Sequence, residues 1–454
     1  MSGICGWLQK DAAEVSSAER AAIGEALSRF DRSTVRATAV EGCGIVMAGR
    51  ETDFAAGGAT FCALWGKPRI QDRDMESVAR ERGVAWSLMA AYRERGSRIL
   101  ESLRGHFALA ILDGRLNSAF LAVDRMGTRP LYYSESGGRF AFATNLDALG
   151  ALPGMDGKIR AQAIYDYVHF HVIPGPRTIY ETRRRLCPGS SLTWSPAGTK
   201  VERYWEMRFV EDEERPFAEL KEEFVSLLQK SVAERLNGHR TGAFLSGGTD
   251  SSTVAGMLGR VTGKPAPTYS IGFDAQSYDE THYARIAARH FGTDHHEYYV
   301  TPDDVVDAIP RIAALHDQPF GNASAIPAYY CAKLAREDGT GTLLGGDGGD
   351  ELFGGNTRYA TQHLYSLYSE LPAPLRKAAI EPFVSLLPAI GLAGKAQRYI
   401  ATASMPMPAR YDNYNLLERL GPAMCSPRTS WPPWTRAARP SKRPPPMRTR
   451  AQRR

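Results

Sequence analysis

The pattern of apolar and polar positions changes character once along this chain, near residue 205. Before it, short apolar runs are separated by Gly, Asp and Asn: Phe107 to Leu112, Ala119 to Val123, Leu131 to Tyr133 and Arg139 to Ala143. Their alternation and spacing predict stacked antiparallel sheets, with a helix among them over Ala85 to Arg95. After Pro216 the period lengthens. Phe217, Leu220, Phe224, Leu227, Leu228 and Val232 recur at helical spacing. Ala243 to Leu245, Pro267 to Phe273, Glu297 to Val300 and Gly341 to Leu344 then read as strands, and Tyr283 to Phe291 and Ala325 to Glu337 as helices. Thr301 and Pro302 look like the N-cap and first-turn proline of a helix running to His316. Strands alternating with helices predict a parallel sheet covered on both faces, with ligands at the carboxyl ends of its strands.

One such end carries the most informative segment. Phe244 and Leu245 close a strand, Ser246, Gly247 and Gly248 let the backbone turn tightly, and Thr249 to Ser252 open a helical stretch, Thr253 to Leu258. A strand, a glycine turn and a helix start present free N–H groups to an anion. The order is not that of the common phosphate loop, and there is no lysine. Asp250 stands instead where a metal bridging phosphates could sit. A second strand and glycine loop follow at 343–355, bearing Asp347, Asp350 and Glu351. Carboxylates opposite a pyrophosphate loop point to Mg2+. His295 and His296 are adjacent on a strand, so they face opposite ways and read as structural rather than as a shared metal site.

Composition narrows the classes. The formal charge is +6, but nine basic residues and no acidic one lie after Leu420, leaving −3 on the rest. That argues against a nucleic-acid partner. The six cysteines are scattered without C-x-x-C pairs, which gives neither a zinc site nor a disulfide framework and makes a reducing, cytosolic compartment the expectation. No signal peptide is read at the N-terminus, and no apolar run is long enough for a membrane span. Residues 424–454 are rich in Pro and Arg and predict disorder. They fit either a basic arm or, better, a reading-frame shift in a GC-rich gene.

The Ser246-Gly247-Gly248-x-Asp250-Ser251 loop resembles that of the N-type ATP pyrophosphatases, and further segments make the chain similar to the asparagine synthetase family. These are Gly345-Gly346-Asp347-Gly348-Gly349-Asp350-Glu351, Ser270 to Phe273, Tyr278-Asp279-Glu280, Gly292 to Glu297, Asp317-Gln318-Pro319-Phe320 and Ser324 to Pro327. In the first half, Leu103 to Ala108 and Asp124 to Tyr133 match as well. The resemblance covers about residues 1–420 and implies a two-domain chain. An Ntn-type, glutaminase-like αββα sandwich over 1–205 precedes an α/β ATP-pyrophosphatase domain over 206–423, of the adenine-nucleotide α-hydrolase type. It also implies roles. Ser246, Gly247, Gly248, Asp250 and Ser251 would bind pyrophosphate. Leu245, Ile271, Gly345 and Gly346 would line the nucleotide site. Asp250 and Asp350 would hold Mg2+, and Asp347 would serve acyl-adenylate formation, one methylene shorter than the family's glutamate. ATP and Mg2+ are the implied cofactors.

Two departures bear on the reaction. Glutamine-using members start with a catalytic cysteine after Met; here that place is Ser2, a weaker nucleophile. Cys5 lacks a free α-amine and faces the other way. The family's glutamine-binding segment is replaced by Ala63-Leu64-Trp65-Gly66-Lys67-Pro68, so no useful glutaminase activity is expected. Such losses resemble the β-lactam synthetases and the macrolactam cyclases of lasso peptides, which use an amine already in the substrate. The second departure is the family's C-terminal helical segment and its lysine, which have no match here; Lys395 and Lys442 stand in other contexts. The resemblance thus reads the domain as C-terminally truncated, with turnover in question. Three functions remain open: an intramolecular amide-forming ligase, acting on a peptide or small-molecule carboxylate and served by a precursor peptide and a partner protease; an asparagine synthetase; or a nucleotide-binding remnant.

Overall fold

The computed structural model describes residues 2–410, apart from 10–13, 31–32, 41, 137, 156, 211–213, 237, 275–278, 389 and 408–409. Tyr278 and the tail from 424 on, with the readings placed on them, lie outside the described residues. The described residues divide into two compact units, one within Met1–Val210 together with His316–Gly321, the other within Glu211–Leu315 together with the described residues from Asn322 to Arg410.

The first unit stacks two six-stranded antiparallel sheets. One runs in the order Arg184–Arg185, Tyr132–Ser136, Arg139–Ala143, Gly3–Gln9, Cys43–Ala48, Val35–Val40. The other runs Gly198–Arg203, Ser190–Ser195, Ser118–Val123, Leu103–Asp113, Thr60–Ile70, Thr52–Gly57. Period-two alternation sends Ile4 and Leu8 inward against Phe61, Ala110 and Leu121, while Cys5 and Trp7 point outward under the helices Ser17–Ser28 and Leu146–Gly150. On the far side, Arg73–Arg82 and Val84–Arg95 cover Leu64 and Leu109 with Met75, Leu88 and Met89. This is the αββα sandwich. The helix Ser17–Ser28 starts on a capping box, in which Ser16 and Glu19 satisfy each other's N–H groups.

One segment distant in sequence joins this unit. Asp317 accepts from the Leu146 N–H at 3.2 Å, Gln318 Oε1 from the Ile179 N–H at 3.0 Å, and the Gly321 N–H donates to the His171 carbonyl. Burial pushes the Asp317 carboxyl up to about 6.

The second unit holds a four-stranded, wholly parallel sheet in the order Asp294–Val300, Pro267–Phe273, Thr241–Phe244, Thr342–Leu344. One face packs on the helices Phe217–Ala233, Thr249–Thr262 and Thr281–Phe291 through Val232, Leu258 and Ala284. The other packs on Pro302–Leu315 and Ala325–Glu337 through Ala308, Cys331 and Ala335. Thr301 caps its helix as its sequence suggests, exchanging hydrogen bonds with Asp304. From Thr241–Phe244 the chain adds strands in one direction, then returns to lay Thr342–Leu344 on the opposite side. The strand order therefore reverses between Thr241–Phe244 and Thr342–Leu344, and a crevice opens where loops diverge at such a point.

Candidate active site

Both glycine loops leave the sheet at that reversal. Residues 245–248 follow Thr241–Phe244 and lead into Thr249–Thr262; residues 345–348 follow the neighbouring Thr342–Leu344 and lead into the short helix Gly349–Phe353. The first loop is anchored from beneath. Leu245 is fully buried, its N–H donates to the Tyr269 carbonyl at 3.0 Å, and the Ser270 hydroxyl donates to the Leu245 carbonyl. Above it the two serines brace each other. Their hydroxyls lie 3.0 Å apart, Ser251 Oγ accepts from the Ser246 N–H, and Ser246 Oγ accepts from the Gly248 N–H. Two hydroxyls and the first N–H groups of a 14-residue helix thus face the opening, a donor-rich surface for an anion.

Gly247 is required by its backbone. Its φ is +84°, and a Cβ there would fall 2.4 Å from the Tyr283 carbonyl carbon, at the start of Thr281–Phe291. The second loop meets the first through Asp250. A Cβ on Gly346 would lie 2.8 Å from Asp250 Cβ, and one on Gly349 would lie 2.3 Å from Asp250 Oδ2. The glycines of one loop are therefore what admits the carboxylate of the other.

The remaining carboxylates spread out. Asp347 turns back over its own loop, with Oδ2 against Gly345, and Asp350 places Oδ1 against Gly355. Asp347, Asp350 and Glu351 are exposed. Ile271, half-buried on Pro267–Phe273, packs beside Tyr269 and Tyr330. Among the described residues no three metal-ligating side chains converge. The two carboxylates Asp250 and Asp350 nonetheless suit Mg2+, which takes one or two protein carboxylates and completes its shell with phosphate and water oxygens.

The histidine pair divides between the faces of its strand. His295 lies 3.0 Å from Thr268 Oγ1 and 3.2 Å from Glu297, which is clamped by Arg285; burial pushes the His295 imidazole down. His296 stacks on Tyr269 and lies between Asp294 and Asp338. Separate partners make these structural groups.

In the first unit, Ser2 precedes the strand Gly3–Gln9 and sits against Gly49, where a Cβ would come 2.1 Å from its hydroxyl. Cys5 is sealed beneath Ala148, and burial raises its thiol far above its ordinary range. Trp65 and Lys67, from the segment Ala63–Pro68, belong to a cluster that sequence reading misses. Asp124, buried, accepts from the N–H groups of Phe107, Met126, Thr128 and Arg129 and from the Thr128 hydroxyl. That hub shapes the 124–129 turn and presents Arg129, whose guanidinium lies 4.5 Å over the Trp65 ring and donates to Glu51. His106, Arg129 and Lys67 around Glu51 hold its carboxyl down to about 2.

Comparison with known proteins agrees with this architecture. Residues 223–440 match the family model of asparagine synthase, and residues 76–205 that of a glutamine amidotransferase domain. A putative glutamine-hydrolysing asparagine synthetase 2 of Methanocaldococcus jannaschii is 33% identical over 298 residues, 64% of this chain and 57% of that protein. The glutamine-hydrolysing asparagine synthetase 1 of Bacillus subtilis is 28% identical over 330 residues, 71% of this chain and 50% of that protein. The chain thus spans about half the length of the curated relatives it matches. A solved B. subtilis glutamine phosphoribosylpyrophosphate amidotransferase aligns over 76% of this chain and 90% of its own at 13% identity, with a TM-score of 0.31, too low to bear on function. No helix among the described residues is long and apolar enough to cross a membrane. The chain thus carries an Ntn-type glutamine amidotransferase-like domain ahead of an asparagine synthase domain, and both halves are similar to the asparagine synthetase family.

Proposed function

We propose that the second unit activates a carboxylate with ATP, releasing pyrophosphate, and passes the acyl group to an amine to form an amide. The observation that carries this is the meeting of two glycine loops at the strand reversal, with Asp250 admitted by Gly346 and Gly349. A carboxylate is a poor acylating agent because its leaving group would be oxide. Attack of its oxygen on the α-phosphorus of ATP breaks the bond to the β-phosphate bridge and yields a mixed anhydride whose leaving group is AMP. Charge grows on the departing pyrophosphate, and preorganised donors aimed at it are the effective stabilisers. Ser246, Ser251 and the N–H groups opening Thr249–Thr262 fill that role. Leu245, Ile271, Gly345 and Gly346 form the adenosine side. Asp250 and Asp350 would hold Mg2+, which supplies Lewis-acid neutralisation of the phosphate oxygens. Asp347 serves formation of the acyl-adenylate.

The nitrogen comes from an amine other than glutamine's amide. Ser2 replaces a thiol, and Arg129 and Lys67, the latter in the segment that stands where glutamine users bind glutamine, are engaged by Glu51. An amine within the same substrate, as in lasso-type macrolactam closure of a precursor peptide, satisfies this need. The names of the relatives favour a second reading, asparagine formation from aspartate with ammonia. Pyrophosphate release with ATP and Mg2+ separates the two. Release on adding aspartate and ammonia selects the second, release only with an amine-bearing peptide selects the first, and silence with every carboxylate overturns both.

A further inference from the structure

The cluster around Glu51 has no part in that reaction, and its composition is unusual for a surface salt bridge. Three donors from separate strands and loops converge on one carboxylate. Arg129 donates to Oε2, Lys67 Nζ lies 3.7 Å from Oε1, and His106 Nε2 lies 3.6 Å from Oε2. The antiparallel register sets Lys67 opposite His106 and Trp65 opposite Ala108, so these side chains share one patch of the sheet. Each approach is braced. Asp124 fixes the turn that carries Arg129, and the Trp65 ring, almost fully buried, forms a floor under the guanidinium. The Gly66 N–H pins the Glu51 carbonyl at 2.8 Å, and Thr52 Oγ1 pins the turn at Gly49. The cradle is not filled by its occupant. Two permanent cations face a single carboxylate, and Arg129 Nε is buried without a hydrogen-bond partner. A planar guanidinium fork stacked on an aromatic ring is the arrangement that proteins use to grip carboxylates. Gly49, two residues before Glu51 on the same turn, is the residue against which Ser2 sits.

We propose that Arg129, Lys67 and His106 on the Trp65 floor form a carboxylate-binding cradle, and that Glu51 is its tethered occupant. The ligand class is a small carboxylic acid, and the tether keeps the site closed to free ones. A covalently attached carboxylate competes at an effective concentration far above that of a free acid, so the wild-type cradle stays occupied. Shortening the side chain empties it and leaves room for the two-carbon acid that was removed.

The test is chemical rescue of Glu51→Ala by acetate. The probe is sodium acetate against sodium chloride at equal ionic strength, read by isothermal titration and by thermal melting. The variant should bind acetate saturably, about tenfold or more tighter than wild type, with a melting temperature that rises with acetate. The double variant Glu51→Ala with Arg129→Met should lose both responses. Equal acetate responses in Glu51→Ala and wild type, or an undiminished response in the double variant, overturn the proposal. Should Glu51→Ala not accumulate in folded form, refolding decides. Recovery in acetate but not chloride supports the cradle, and equal recovery in both refutes it.

Discussion

Gly349→Ala isolates the contact between the two glycine loops. Gly349 opens the helix Gly349–Phe353 and is not at positive φ, so alanine suits its backbone and, by helix propensity, favours the helix by up to about 1 kcal/mol. What the new methyl group meets is Asp250, at 2.3 Å from Oδ2 and 2.4 Å from Cγ. The three nearest atoms all belong to that carboxylate, so the strain is relieved by swinging it aside. The protein should keep its melting temperature while Asp250 loses its position. If that carboxylate helps hold metal and pyrophosphate, the loss resembles removal of one preorganised stabilising group, about 3–4 kcal/mol or 10²–10³ in turnover. The assay is continuous pyrophosphate release with ATP and Mg2+, run beside a melting curve. Asp250→Asn should fall by a similar factor. The double variant should fall no further than either, because both changes remove one function. Wild-type turnover in Gly349→Ala, or losses that multiply in the double variant, would refute the reasoning.

Three further outcomes follow from the geometry. Gly247→Ala combines a positive φ, worth about 1–2 kcal/mol, with a 2.4 Å backbone clash, and should destabilise the second unit in urea titrations; Gly248→Ala, at φ −68° with Ser246 Oγ at 3.4 Å, should shift folding stability by under about 0.5 kcal/mol. Asp317 has a carboxyl raised from 3.8 to about 6 by burial, so its folded form holds the proton more tightly. The stability this contributes is complete below pH ~4 and is lost as pH rises through ~6, up to about 3 kcal/mol. Asp317→Asn should therefore be more stable than wild type at pH 8 and equal to it below pH 4 in denaturant titrations. Asp124→Asn turns an amide NH2 or a weaker acceptor toward five donors and should cost about 3 kcal/mol of first-unit stability, seen as an earlier unfolding transition.

The site was legible where its chemistry is local. Ser246 to Ser251 and Gly345 to Asp350 are each one strand end, one turn and one helix start, so their order along the chain carries their geometry. Boundaries were less legible. Sequence pattern starts one helix at Thr253 and a strand at Glu297, whereas they begin at Thr249 and Asp294. The helix starts on Gly248 without a side-chain cap, and its first turn, Thr249 to Ser252, is polar, so a period of apolar residues does not register it. The Asp294-His295-His296 run lacks apolar alternation yet pairs in register with Pro267 to Tyr269. Ser16 and Glu19 form a capping signature that the sequence displays and the apolar pattern overlooks. The Glu51–Arg129 pair was out of reach, because 78 residues separate its members and it depends on strand register as well as on the Asp124 hub. The placement of Asp317 with the first unit likewise depends on partners at Leu146 and Tyr132.

The central claim is that ATP is cut between its α- and β-phosphates when a carboxylate is presented. The direct measurement is phosphorus NMR of ATP incubated with the protein, Mg2+ and a panel of carboxylates that spans aspartate and amine-bearing peptides. AMP and pyrophosphate should form in equal amounts, only with a carboxylate present, and about 10²–10³-fold more slowly in Asp250→Asn. ADP with inorganic phosphate, or ATP left intact by every carboxylate, would contradict that claim.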